Sequence, residues 1–110
     1  MTIDKAIAEI YKPSEQGAIF TLPDDFLAFK GHFPEEPILP AVVQIKMAVY
    51  AVSKQRKASL KLKGIKKAKF AVPVKTRDTI SIIIEPKNDF YDVSIKNETT
   101  IFSSFQIFVQ

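Results

Sequence analysis

The chain has 110 residues, 46% of them hydrophobic and 25% charged, the balance of a compact globular chain. It has no cysteine and a single histidine, His32, which excludes a disulfide scaffold, a thiolate metal site and a cysteine nucleophile and leaves almost no room for zinc catalysis. With 16 Lys and Arg against 12 Asp and Glu, the formal charge of +4 is a mild bias toward an acidic partner.

The first residues, MTIDKAIAEIYKP, carry Asp4, Lys5 and Glu9 and no apolar run of signal-peptide length, so a cytoplasmic location is expected. Ile3, Ala6, Ile7 and Ile10 fall at helical spacing, but the isoleucine-rich character also suits a strand, and a strand is expected over 3–12. Ser14-Glu15-Gln16-Gly17 is turn chemistry, and Ala18 to Leu22 alternates until Pro23-Asp24-Asp25 stops it, which reads as a hairpin. Pro34, Pro37 and Pro40, at intervals of three, suit an extended rigid loop. The run AVVQIKMAVYAVSKQ that follows has no breaker, and Pro40 sits well at a first helical turn, so one long helix is predicted over about residues 39–54. At roughly 100° per residue Gln44 and Lys46 point to nearly opposite sides and apolar residues fill the other directions. Such a helix is expected to be enclosed.

Strands are predicted over 65–74, 78–85, 90–96 and 100–109. In the second of these Ile80, Ile82 and Ile84 share one face, and Pro86-Lys87-Asn88-Asp89 and Asn97-Glu98 mark turns. Connections this short demand antiparallel neighbours. The longest apolar stretch, Ile38 to Val43, is far too short to span a bilayer. The fold class is therefore α+β: one domain, 1–110, with an antiparallel sheet of five to six strands wrapped around one long central helix. A core this thin would gain from a second copy, so a homodimer or higher homo-oligomer is expected.

Between Lys54 and Lys69 stand eight Lys or Arg and no acid. They read either as a solvated edge strand kept soluble by lysines or as a docking surface for an acidic protein. Without interleaved aromatics for base stacking, nucleic acid is not an expected partner.

The segment Phe29 to Lys46, with Gly31, His32, Phe33, Pro34, Pro37, Pro40 and Val42 in gapless register, resembles the G-H-F-P-x-x-P-x-x-P-G-V-L-x-x-E/D pattern of hotdog-fold 3-hydroxyacyl-acyl-carrier-protein dehydratases of the FabA/FabZ type. A second block, Gly64 to Asp78, is similar to that family's strand after the helix. The resemblance implies the hotdog fold, dimers paired through the sheets, an acyl carrier protein as carrier of the substrate, and no metal or organic cofactor. It implies that His32 is the base, that the Ala41 amide binds the thioester oxygen, and that Gly31, Phe33 and Val42 line the substrate site. The sequence departs from the pattern in two places: Ala41 replaces the glycine of the P-G pair, and Lys46 stands where the family has its acid, fourteen residues after the histidine. The family's amino-terminal H-R-x-P-F-L-L-x-D pattern has no clear counterpart.

Dehydration needs a base at the acidic C–H, a donor for the carbonyl oxygen and an acid for the departing hydroxyl. An imidazole suits the first task near neutral pH. Lys46 is the candidate for the last, as a proton donor, or else a lysine that reaches solvent or pairs with Glu35 or Glu36 across a dimer interface. Gln44 as a neutral stand-in points the other way round the helix. Phe20, Phe26, Phe29, Phe33 and Met47 read either as an acyl tunnel or as ordinary core. Two other functions remain open: thioester hydrolysis, with a carboxylate among Asp24, Asp25, Glu35 and Glu36, and a non-catalytic subunit that binds acyl carrier protein or a partner dehydratase.

Overall fold

A computed structural model describes residues 1–30 and 36–110 of the chain. It opens with a helix where a strand is expected: α1, Ile3–Ile10. Ala6 and Ile7 are buried and Ile3 and Ile10 half-buried, the stripe of an amphipathic helix. Thr2 caps it, its Oγ1 accepting from the Lys5 amide at 3.2 Å. Extended structure begins only at β1, Tyr11–Ser14, which turns through Glu15 and Gln16 into β2, Gly17–Thr21, as the turn chemistry predicts. At Gly17 the strands approach so closely that a Cβ would collide with the Ile82 carbonyl.

A single 3-10 turn, Leu27–Phe29, precedes the proline-rich segment, and the long helix α2 follows it over Ala41–Arg56. The helix starts after the expected position because Pro40 is extended, with φ −61° and ψ 148°, and serves as the N-cap. It ends at Lys57, left-handed with φ 53°, while Lys54 and Arg56 in its last turn suit the negative end of the helix dipole.

The remaining chain forms β3, Leu62–Phe70, β4, Thr79–Pro86, β5, Tyr91–Lys96, and β6, Ile101–Val109. With β1 and β2 they make one antiparallel six-stranded sheet in the order β1-β2-β4-β5-β6-β3. The hairpins β4-β5 and β5-β6 are those the short turns demand. β3 is shifted toward the amino terminus from 65–74: past Phe70 the amides of Ala71 and Val72 both donate to the Phe102 carbonyl, at 2.9 and 3.1 Å, and Pro73 lies outside the ladder.

Ile80, Ile82 and Ile95 from the sheet close on Met47, Ala48, Ala51 and Val52 of α2, each large side chain contributing roughly 1.5–3 kcal/mol of burial. Phe20, Phe26, Phe29 and Met47 belong to this core. Among the described residues the sheet and α1 cover α2 on one side only. Val42 is 60% exposed and Ile45 and Val49 are half-buried, so the helix is not enclosed all round within one chain. Among the described residues no helix is long and apolar enough to cross a membrane.

Candidate functional site

The site grows from the entry into α2. Residues 36–40 run extended alongside the segment after β3, where Ile38 bridges Lys75 and the Leu39 amide donates to the Val74 carbonyl at 2.8 Å. Lys75 Nζ also reaches Glu36 Oε1 at 3.2 Å. Pro40 turns the chain into the helix, its carbonyl accepting from the amides of Val43 and Gln44, each at 3.1 Å. The amides of Ala41 and Val42, as first-turn donors, have no carbonyl within the helix to serve. Both residues are exposed, and the positive end of the helix dipole lies there.

Lys46 lies one turn beyond Val42 on the same open side. Its side chain is 47% exposed, and its Nζ stands 3.8 Å from Asp4 Oδ1 of α1. Gln44 points the opposite way, into the core, as the helical angle predicts. A groove of about 920 Å³ runs down the open side, floored by Ile45, Val49, Leu60 and Leu62. Lys54, Lys57 and Lys61 gather around its far end, while Lys66, Lys67 and Lys69 lie exposed on the outer strand β3.

Of the candidate residues, the structure thus brings Ala41, Val42 and Lys46 together at the start of α2. Gly31, His32 and Phe33 lie outside the described residues, as does Glu35. Of the carboxylates considered for hydrolysis, Asp24 is taken by Arg77, whose Nε and Nη2 donate to it at 2.9–3.0 Å. Those bonds hold its carboxyl below the ordinary 3.8, which makes the carboxylate a weaker base toward water. Glu36 is taken by Lys75. Among the described residues no three His, Cys, Asp or Glu side chains gather as a metal site.

Two contributors escaped the sequence reading. Asp4 was hidden by the expectation of a strand, since only a helix over 3–10 puts its first turn beside α2; the apolar spacing carried that signal. Ser103, which donates to Gln44 Oε1 at 2.7 Å, is 59 residues from its partner and carried no local signal at all.

The geometry has relatives. A solved structure, the dehydratase heterocomplex ApeI:P from Xenorhabdus doucetiae, superposes with a TM-score of 0.70 over 89% of this chain and 90% of that one, at 24% identity. An uncharacterized protein from Erwinia carotovora subsp. atroseptica superposes with a TM-score of 0.68 over 91% and 89% of the two chains, at 20% identity. The fold is the hotdog fold that the motif implied. In sequence, the chain is 34% identical over 87 residues to a 3-hydroxyacyl-[acyl-carrier-protein] dehydratase FabZ from Chlamydia muridarum (strain MoPn / Nigg), a match covering 70% of this chain and 54% of that protein. The chain thus spans about half the length of the curated relative it matches. Residues 10–106 match the family described as ApeI-like, the ApeI dehydratase, a span that takes in α2, the whole motif around it and all of the sheet but the last three residues of β6, and the chain belongs to that ApeI-like dehydratase family.

Proposed function

We propose that the chain, as one domain over 1–110, is a cytoplasmic 3-hydroxyacyl thioester dehydratase acting on acyl groups carried by acyl carrier protein. His32 takes the proton from C2 of the substrate, and the electron pair forms the C2=C3 double bond. The hydroxyl on C3 leaves as water with a proton from the Lys46 ammonium, and the proton on the imidazolium then returns to the lysine amine. The Ala41 amide holds the thioester oxygen while charge collects there. Gly31, Phe33 and Val42 line the acyl chain. The observation that carries this reading is the start of α2, where the exposed residues Ala41 and Val42, whose amides have no acceptor within the helix, and the side chain of Lys46 stand in the motif's register.

The assembly follows from the same open side. The uncovered stripe of Val42, Ile45 and Val49 beside the outer strand β3 suits a second copy, giving a homodimer paired through the sheets. The lysines of 54–69 steer an acidic carrier to the groove, an effect on association rate that fades with salt.

A second reading is favoured by one observation, the lysine at the acid position. It makes the chain a subunit that binds acyl carrier protein or a partner dehydratase and lacks the acid of its own; ApeI of Xenorhabdus doucetiae was solved in a heterocomplex. The two readings part in one assay, enoyl formation from 3-hydroxyacyl groups on acyl carrier protein. The first predicts turnover by the wild type, lowered about 100-fold or more by His32→Ala and lowered by Lys46→Ala. Silence in the wild type with turnover appearing in Lys46→Glu overturns it in favour of the second.

A further inference from the structure

Among the described residues the buried polar side chains are Gln44, 4% exposed, and Ser103, 2% exposed, and they are bonded to each other. The carboxamide of Gln44 spans two parts of the fold. Its Oε1 accepts from Ser103 Oγ of β6 at 2.7 Å, and its Nε2 donates to the Leu39 carbonyl at 3.1 Å. A carbonyl only accepts, so the amide nitrogen must face Leu39, and the orientation of the group is set by chemistry. Leu39 is itself buried and clamped through both backbone groups, its amide to Val74 and its carbonyl to Gln44.

Stability alone does not call for this strap. A buried neutral pair of hydrogen bonds adds little net free energy over an apolar side chain of like volume, whereas a satisfied polar contact specifies one arrangement out of several. The arrangement it specifies is the last residue before the helix cap. Pro40, with φ locked at −61°, passes the position of Leu39 directly to Ala41.

We infer that Gln44 is a positioning residue: braced by Ser103, it fixes the start of α2 against β6 and so aims the Ala41 amide. The consequence for catalysis rests on the function proposed above, because an amide displaced from a developing oxyanion loses rate steeply. The positional claim itself does not need that reading.

Amide hydrogen exchange on the full chain tests it. Gln44→Met removes both bonds at nearly constant volume, and exchange at the Leu39 amide is expected to quicken about tenfold or more, while Ala48 in α2 and Ile95 in β5 stay within about twofold. Ser103→Ala, the gentler variant should Gln44→Met fold poorly, shifts the same amide in the same direction. Gln44→Glu adds a readout that packing would not move. Its buried carboxyl favours the neutral form, which makes both bonds, whereas the carboxylate faces a carbonyl and cannot. Relative to the wild type at each pH, exchange at Leu39 is therefore unchanged in acid and quickened in base. In the dehydration assay kcat falls about tenfold for Gln44→Met with KM little changed, and the Gln44→Glu rate recovers toward acid. Unaltered exchange at Leu39, or equal quickening at Leu39, Ala48 and Ile95, overturns the inference. Wild-type protein without turnover overturns the proposed function, and the exchange data still decide the position.

Discussion

Two sides of one helix carry opposite chemistry. On the inner side of α2, Val43, Gln44, Met47, Ala48, Ala51 and Val52 are buried, and the one polar group among them is bonded at both ends. On the outer side Val42, Ile45, Lys46 and Val49 meet solvent or half meet it, and among the described residues Lys46 has one loose contact, to Asp4 at 3.8 Å. The inner side has one low-energy arrangement because each atom has a neighbour. Among the described residues the outer side has apolar area without cover and a cation without a strict geometry, which suits the substrate and second subunit proposed for it. The candidate acid position falls on that second side, whereas Gln44, two residues away, builds the first.

Truncation should expose the contrast most strongly. Met47→Ala, at a fully buried position, is expected to cost about 2–5 kcal/mol in urea denaturation, because the core cannot collapse into the space. Val42→Ala on the outer side should cost no more than about 0.5 kcal/mol in the same experiment at low protein concentration. If a second subunit covers the stripe, the Val42 variant shows a shifted association equilibrium instead, read by sedimentation. Equal losses at the two positions would mean that the two sides do not differ as described.

Charge is the next way to probe the outer side. Lys46→Glu sets a carboxylate beside Asp4, and stability should change by no more than about 0.5 kcal/mol, since an exposed ion pair contributes little. The direction is destabilising, and it should vanish at high salt, where the screening length falls to about 3 Å. Asp4→Lys combined with Lys46→Glu restores the attraction and recovers the small loss. A loss of several kcal/mol, insensitive to salt, would show that Lys46 is embedded rather than open.

How far these sides were legible depended on how local their signals are. The angle between Gln44 and Lys46 follows from helix geometry, and the strands followed from period-2 patterns such as Ile80, Ile82 and Ile84. The motif's register puts Ala41, Val42 and Lys46 at the helix start. What escaped were choices made by distant partners. The four apolar residues of α1 serve a helix or a strand equally, and packing against α2 and the Thr2 cap select the helix. The outer place of β3, beside β6 rather than β4, depends on pairing across more than thirty residues. Nothing near Gln44 announces Ser103, and nothing in a run of lysines says which of them faces a groove.

The smallest effect expected concerns a better-made exposed pair, and it sharpens what Lys46 and Asp4 lack. Arg77 grips Asp24 through two nitrogens at 2.9–3.0 Å, a fork that fits a carboxylate in a way that an ammonium 3.8 Å from Asp4 does not. Arg77 is itself held in a left-handed conformation, φ 70°, with its amide donating to the Leu22 carbonyl at 2.8 Å, so the pair ties the end of β2 to the turn before β4. Because hydrogen bonds from Arg77 lower the Asp24 pKa on folding, the folded state releases that proton more readily than the unfolded chain. The resulting stability is complete above the ordinary 3.8 and is lost as the pH falls through the lower folded value. Asp24→Asn should therefore be less stable than the wild type at neutral pH, with the difference shrinking in acid below 3.8. Parallel denaturation curves for Asp24→Asn and wild type down to pH about 2 would remove the two-point grip as a source of stability.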